Sequence, residues 1–192
     1  MCKKIHRGGN AEQYNADKKY KEAVAEAVEA CADDTKGQML VGQSNLANTY
    51  QLLHRYDEAL SMRRDVYSGK IRLHGEEHET TLKEAFNYAT SLFPLNRFKE
   101  IKELLMKAIP VSQRVLGDEH RITFRMRYYY ACSLYIDAGA TLDDLREAVT
   151  TLEETERTAR RVLGKSHPIA VDIEGSLRDA RAGLRAREAL SG

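Results

Sequence analysis

Apolar side chains recur along this chain at steps of three and four residues, the spacing that places them on one face of an α-helix. The segments 23–31 and 101–109 show this spacing clearly. No segment alternates apolar and polar residues as a half-buried strand does. The pattern predicts an all-α protein of about eight antiparallel helices, with approximate bounds 11–33, 37–53, 56–73, 78–94, 97–116, 120–138, 142–163 and 167–190.

A repeat of about 42 residues is superimposed on the helical pattern. Glycine returns at Gly75, Gly117 and Gly164, in steps of 42 and 47 residues, and a histidine follows each glycine three residues later. Alanine keeps the 42-residue interval at positions 47, 89 and 131. Because a single helical hairpin cannot bury its own apolar face, we expect the repeated hairpins to stack on one another.

The repeated residues also predict where each helix begins and ends. A glycine after a helix favours a left-handed C-terminal residue, and we expect the histidine after it to start the next helix. Within the hairpins we expect tight turns of positive φ at His54, Asn96 and Gly139. The longer repeat step places five extra residues in the third hairpin's turn, where Thr141 and Asp144 have the spacing of an N-terminal capping box.

These elements predict one repeat domain over residues 11–192, preceded by a flexible N-terminus at 1–10. Arg178 occupies the position that alanine holds in the earlier copies, and a buried arginine there would be costly. We therefore expect the last helix to expose that face and to cap the stack. The domain divides into a half hairpin at 11–36, repeats at 37–77, 78–119 and 120–166, and a capping helix at 167–190.

Charge and cysteine content narrow the function classes. Thirty basic and 29 acidic residues give a net charge of +1, which disfavours a protein built to bind nucleic-acid phosphates. The first residues lack the apolar stretch of a secretory signal, and no segment approaches the roughly 20 apolar residues of a membrane span. The widely spaced Cys2, Cys31 and Cys132 fit a reducing compartment. We expect a cytoplasmic protein that binds neither membranes nor nucleic acid.

Three segments carry a resemblance to a known family: Asn45–Tyr50, Arg55–Leu60 and Leu116–His120. They resemble the kinesin light chain class of tetratricopeptide repeat, whose unit has about 42 residues where the ordinary repeat has 34. The resemblance covers roughly residues 12–190. It implies a right-handed α–α superhelix whose first helices line a concave groove that receives extended peptides.

The resemblance assigns a peptide-binding role to asparagines in the first helix of each hairpin. Amide side chains can donate to and accept from a peptide main chain, aromatic rings can anchor apolar groups, and Lys83 and Arg125 favour an acidic ligand residue. We therefore expect an extended, partly acidic peptide segment of another protein. The third copy departs from the pattern at Tyr129, and Pro94 shortens the second groove helix. The predicted groove residues are Asn45, Asn48, Gln51, Lys83, Phe86, Asn87, Thr90, Arg125, Tyr128, Tyr129 and Tyr135, with Ser44 and Cys132 on the same faces.

Metal, nucleic-acid and catalytic functions have weaker support. His74 and His78 have no constant further ligand, whereas a metal site needs three or four. The basic and tyrosine residues at 121–130 fall on several helix faces rather than on one stacking platform. A lone cysteine on an apolar helix, such as Cys132, is usually a core residue. We expect no cofactor, no metal and no catalysis.

Two alternatives to the groove stay open at the level of the sequence. In the first, the tyrosines in the predicted groove serve only to pack one hairpin on the next. In the second, the chain is a structural or oligomerisation arm of a larger multidomain protein without a peptide ligand. Self-association through an exposed apolar face near Leu177 and Leu184 would suit that role.

Overall fold

The computed structural model describes residues 35–191, which form seven α-helices and one short 3-10 helix. No β-strand occurs in this range, so the predicted all-α class is confirmed. Each helix end lies within two residues of its predicted position. The predicted N-terminus at 1–10 and helix at 11–33 lie outside the described residues. The helices are α1 Thr35–Leu52, α2 Tyr56–His74, α3 Glu79–Leu92, α4 Phe98–Leu116, α5 Arg121–Ile136, α6 Leu142–Leu163 and α7 Pro168–Ser191, with the 3-10 helix Phe93–Leu95 between α3 and α4.

The helices form a stack of antiparallel hairpins. Each helix packs against the next one along the chain, and short connections make such neighbours antiparallel. Alternate helices also touch, because α3 contacts α5 and α5 contacts α7. The first helices of successive hairpins therefore lie side by side in one layer.

One apolar core extends from α2 to α7, and a smaller apolar cluster joins α1 to α2. The repeated alanines Ala47, Ala89 and Ala131 are completely buried, which lets the paired helices approach closely. Ile101 and Leu105 of α4 are also inaccessible, and burying each such side chain stabilises the fold by roughly 1.5–3 kcal/mol. The 42-residue interval in the sequence thus marks the positions where neighbouring helices meet.

Glycine ends α2, α4 and α6 in a conformation that other residues avoid. Gly75, Gly117 and Gly164 have φ of 82°, 90° and 89°, so the expected positive φ is confirmed. Their ψ values of 171°, 162° and 158° lie outside the left-handed helical region that we expected, in a region that is open almost only to glycine. Each glycine N–H still donates to the carbonyl four residues earlier, at 2.8 to 3.0 Å.

The repeated histidines are the N-caps of α3, α5 and α7. The Nδ1 atoms of His78, His120 and His167 accept a hydrogen bond from the backbone N–H two residues later, at 3.2, 3.3 and 3.2 Å. This bond satisfies a donor that the first helical turn leaves without a partner. The prediction that each histidine starts the next helix is therefore confirmed.

The turns within the hairpins follow the prediction at two of three positions. His54 and Asn96 have φ of 58° and 56°. Gly139 has no positive φ, so that prediction is wrong. Here the inserted residues allow a wider turn, in which Asp137 Oδ1 accepts from the Gly139 N–H at 3.0 Å and Asp137 O accepts from the Ala140 N–H at 2.9 Å.

The predicted capping box at the start of α6 is present. Thr141 Oγ1 accepts from the Asp144 N–H at 3.1 Å, and Asp144 Oδ2 accepts from the Thr141 N–H at 3.0 Å. Lys102 of α4 donates from Nζ to Asp144 Oδ1 at 2.6 Å. The hydrogen bonds from Lys102 and then from Thr141 lower the pKa of Asp144 from 3.8 to about 2.

The outer face of α7 differs from the same face of α1, α3 and α5, which are the first helices of the hairpins. Arg178 is exposed, as its position in the repeat predicted. Leu177 is only 7% exposed because it packs into the main core, so the expected exposed apolar face at Leu177 is wrong. The outward face of α7 is therefore charged.

We predict that Gly117→Ala lowers the free energy of unfolding by about 1–3 kcal/mol, because alanine cannot adopt the glycine conformation without strain. A Cβ at Gly117 meets no atom within 4 Å, so steric overlap adds nothing to this cost. Gly42→Ala is the matched control, because Gly42 lies inside α1 with equal space and alanine is the better helix former by about 1 kcal/mol. Urea unfolding measures both, and equal effects would contradict the assignment of strain.

We predict that Asp144→Asn destabilises the protein at pH 7 and that the difference from wild type vanishes as the pH falls. Because folding lowers the pKa of Asp144, its carboxylate stabilises the native state above pH 3.8 and loses this effect towards pH 2. Thermal unfolding between pH 7 and pH 2 measures the difference. The control is Asp143→Asn, whose carboxyl is almost fully exposed. A difference between Asp144→Asn and wild type that is independent of pH would refute the prediction.

Candidate functional site

A buried polar network joins α1, α2 and α3. Arg63 of α2 is 2% exposed, and its Nη1 lies 3.3 Å from Oε2 of Glu84, which is 6% exposed in α3. Ser44 of α1 accepts from Arg63 Nη1 at 2.7 Å and donates to Glu84 Oε1 at 3.0 Å. Asn48 Oδ1 accepts from Arg63 Nη2, and Asn87 Nδ2 donates to Glu84 Oε2 at 3.1 Å. One ion pair thus holds three further side chains from two helices.

The two charges of this network depend on each other. Burial lowers the pKa of Arg63, and the nearby carboxylate of Glu84 opposes that change. Arginine side chains stay protonated in proteins, so Arg63 is charged at neutral pH even so. A buried charge without its partner costs several kcal/mol, so the fold needs both members of the pair or neither.

The network fixes the orientation of two exposed or half-exposed amides. Asn48 uses its Oδ1 and Asn87 uses its Nδ2 within the network. Asn48 Nδ2 therefore remains as a hydrogen-bond donor and Asn87 Oδ1 as an acceptor, with no further partner among residues 35–191. The two groups belong to first helices of adjacent hairpins.

Aromatic rings fill the junction between α3 and α5. Tyr129 lies edge-on to Phe86, Phe93 and Tyr128, with ring centroids 5.4, 5.6 and 5.4 Å away. The guanidinium carbon of Arg125 lies 4.6 Å from the centroid of the Phe86 ring. Such edge contacts each add about 0.5–1.5 kcal/mol to the burial of the rings. Tyr129, which replaces the asparagine of the other copies, therefore has a packing role.

A hydroxyl and thiol cluster joins α5 to α7. The Tyr128 hydroxyl lies 3.2 Å from Ser176 Oγ, and Cys132 Sγ lies 3.9 Å from the same oxygen. Burial raises the pKa of Cys132 to about 11 and the pKa of Tyr135 to about 12. At neutral pH the Cys132 thiol is protonated, which makes it a poor nucleophile. The arrangement fits the expected core role of this cysteine.

The comparisons with known proteins agree with this geometry. A family model described as tetratricopeptide repeat matches residues 42–80 and 87–122, which span the hairpin of α1 and α2 and most of the hairpin of α3 and α4. Residues 42–80 and 87–122 are thus tetratricopeptide repeats. No protein of curated function matches it in sequence. Tetratricopeptide repeats are protein-interaction modules, so this repeat region is a protein-interaction scaffold.

Solved kinesin light chain-like structures have the same architecture. The nearly identical TPR-like repeats of a kinesin light chain from Podosopora anserina are 20% identical, with a TM-score of 0.71 over 93% of this chain and 82% of that chain. BtubC (BKLC) from P. vanneervenii is 17% identical, with a TM-score of 0.66 over 93% of this chain and 74% of that chain. At these identities the likeness shows the fold, an all-α superhelix of repeated hairpins.

The predicted groove residues fall into three groups, which are exposed, partly exposed and buried. Asn45, Asn48 and Lys83 are exposed. Phe86 is 6% exposed because Arg125 and Tyr129 cover its ring, so its prediction as an exposed anchor is wrong. Ser44 and Cys132 are likewise buried, by the polar network and by the contact with α7. The partly exposed residues are Gln51, Asn87, Thr90, Arg125, Tyr128, Tyr129 and Tyr135.

The sequence prediction missed Arg63 and Glu84. Arg63 stands between Ala59 and Val66 at helical spacing, so a basic residue inside an apolar stripe was the available signal. Glu84 offered no such signal, because Asn87 and other polar residues share its face of α3. Its burial depends on a partner from another helix, which periodicity does not reveal.

Two other expectations concern metal and membrane. His74 and His78 stack with ring centroids 4.5 Å apart. In the described part of the chain, no group of three or more His, Cys, Asp or Glu side chains is placed to hold a metal ion. None of the helices in that part is long and apolar enough to cross a membrane.

We predict that Arg63→Met and Glu84→Leu each lower the free energy of unfolding by about 3–5 kcal/mol, because each strands a buried charge. The double variant removes both charges, so its loss should be smaller than the sum of the single losses by about 1 kcal/mol or more. Urea unfolding of the four proteins measures this coupling. Additive losses would show that the ion pair does not hold the network together.

Proposed function

We propose that this chain binds an extended, partly acidic peptide segment of a partner protein on the layer formed by α1, α3 and α5. We call this surface the groove face and define it by Asn45, Asn48, Lys83, Asn87 and Arg125. The observation that carries the proposal is the buried Arg63–Glu84 network, which holds two of these amides in fixed orientations.

The groove face offers hydrogen bonds suited to a peptide main chain. Asn48 Nδ2 is a donor and Asn87 Oδ1 an acceptor, and an extended peptide presents carbonyl and N–H groups in alternation. Because the network already orders both side chains, binding loses little of their conformational entropy. The proposal thus uses a pair of amides on adjacent hairpins rather than a single pocket.

The charge of the groove face favours an acidic ligand. Lys83 is exposed and Arg125 is half-exposed. Neither cation pairs with a carboxylate within residues 35–191. Tyr129 lies beside Arg125 and remains partly exposed, as does Tyr135 farther along α5, and both rings supply apolar contact area. An acidic residue flanked by apolar ones would complement this combination.

The role of a structural or oligomerisation arm is the second candidate function. It draws support from Tyr128, whose hydroxyl contacts Ser176 of the next hairpin, and from Tyr129, which packs between α3 and α5. Under this alternative the tyrosines stiffen the stack and the chain binds no peptide. Light scattering that shows concentration-dependent self-association, together with no peptide binding, would favour it.

The proposal keeps the cytoplasmic setting that the sequence favours and assigns no catalysis to the chain. Cys132 is the one cysteine among the described residues, and its burial and raised pKa make its thiol a poor nucleophile. This supports the proposal that the chain is not an enzyme. The same proposal assigns binding to protein rather than to nucleic acid, in keeping with the near-neutral charge of the chain.

We predict that selection from a random displayed peptide library enriches acidic, extended sequences on the wild-type protein. The variant Asn48→Asp/Asn87→Ala should raise the dissociation constants of the selected peptides about tenfold or more, because it removes one donor and one acceptor. Asn48→Asp keeps the oxygen that accepts from Arg63, so the network retains that bond. Fluorescence anisotropy of labelled peptides measures the affinities.

The control variant is Lys107→Ala on α4, which changes the net charge by the same amount away from the groove face. It should bind the selected peptides as the wild type does, and thermal unfolding verifies that all three proteins are folded. Equal affinity for the wild type and the groove variant would overturn the proposal.

A further inference from the structure

A charged cleft of about 610 Å³ lies between α6 and α7 at the end of the described stack. Five arginines and three glutamates line it, which leaves an excess of two positive charges. Leu177 supplies an apolar contribution to its wall. We call this site the terminal cleft. Its volume is typical of ligand sites and exceeds what a single small anion fills.

The carboxylates in the terminal cleft are already engaged. Arg160 is shared by Glu156 and by Glu174, whose Oε2 lies 3.0 Å from Arg160 Nη2. Arg181 Nη2 lies 2.7 Å from Glu153 Oε1. These pairs use all three glutamates of the cleft.

Three arginines remain without such partners. Arg157 of α6 and Arg178 and Arg185 of α7 are exposed and make no ion pair or hydrogen bond within residues 35–191. Like charges that face one concave site repel each other, and a bound anion removes that repulsion. The arrangement therefore favours an anionic ligand more strongly than a mixed-charge surface does.

The repeat register shows that Arg178 and Arg181 occupy positions that are buried in the preceding hairpin. Arg178 and Arg181 correspond to Ala131 and Leu134 at the 47-residue step. Both α5 residues are buried beneath α6, whereas Arg178 and Arg181 are exposed in α7. A polar outer face is enough to keep the end of a solenoid soluble. Solubility alone does not require three unpaired guanidinium groups on the two walls of one cleft.

We propose that the terminal cleft binds a phosphorylated side chain of a partner peptide. A phosphoserine or phosphothreonine carries about −1.5 to −2 charges and three strong acceptor oxygens, which matches the excess positive charge of the cleft. Arginine pairs with phosphate through two parallel N–H···O bonds, and a phosphate has a larger charge and one more acceptor oxygen than a carboxylate does. The remaining volume beside Leu177 accommodates peptide residues that flank the phosphate. This site is separate from the groove face and does not rest on it.

The test uses a fluorescent peptide library with one fixed phosphoserine and degenerate flanks, together with its unphosphorylated counterpart. The wild type should bind the phosphorylated library more tightly than its unphosphorylated counterpart, and Arg178→Ala/Arg185→Ala should weaken binding of the phosphorylated library about tenfold or more. Arg64→Ala/Arg121→Ala is the matched control, because it removes two exposed and unpaired arginines outside the cleft. It should bind as the wild type does, as should the groove variant Asn48→Asp/Asn87→Ala.

Several outcomes would overturn the proposal. They are equal binding of both libraries, no binding to the wild type, or unchanged binding after Arg178→Ala/Arg185→Ala. If free inorganic phosphate displaced the phosphopeptides at an equal concentration, the cleft would be a general anion site without specificity for a peptide. Binding to vesicles that contain phosphoinositides, without binding to phosphopeptides, would assign the cleft to a membrane surface. Failure of peptide binding at the groove face alone leaves these results unaffected, so the two proposals can fail separately.

Discussion

The stack depends on one constraint, which is that each helical hairpin must bury its apolar face against the next. Completely buried alanines at positions 47, 89 and 131 let the helices approach closely enough for this packing. The main core is continuous from α2 to α7, so the later hairpins share one interior, while α1 and α2 have a smaller apolar cluster of their own. The junction between helices is therefore the unit on which both stability and surface chemistry rest.

The junctions are chemically different from one another. Between the first two hairpins an ion pair of Arg63 and Glu84 connects three helices, while Tyr129 and its aromatic neighbours fill the next junction. The third junction contains the hydroxyl and thiol groups around Ser176. Each arrangement decides which polar groups remain available on the outside. A regular backbone thus presents an irregular surface, and the partner chemistry follows from the junction beneath it.

Most of the fold could be predicted because its signals are local. Helix periodicity, glycine at helix ends and histidine at helix starts each act within a few residues. The prediction of a positive φ at Gly139 was wrong because the inserted residues changed the turn geometry around Asp137. The candidate site was harder to predict, since Phe86 is covered by side chains from α5 and Glu84 is satisfied by a side chain from α2. Periodicity shows which face of a helix is apolar but does not show which distant side chain meets it.

The pattern of contacts in this stack is almost one-dimensional. Helices touch their sequence neighbours and the next helix of the same layer, so stability approximates a sum of hairpin terms and nearest-neighbour terms. Folding in such a system can begin at any hairpin and propagate in both directions. Within the described residues α7, like α1, has packed neighbours on one side only, and a helix at an end of such an array frays more readily than an interior one. A ligand that bridges α6 and α7 consequently acts on an end of the described array, where a small gain in binding free energy alters the population of open forms more than it does in the interior.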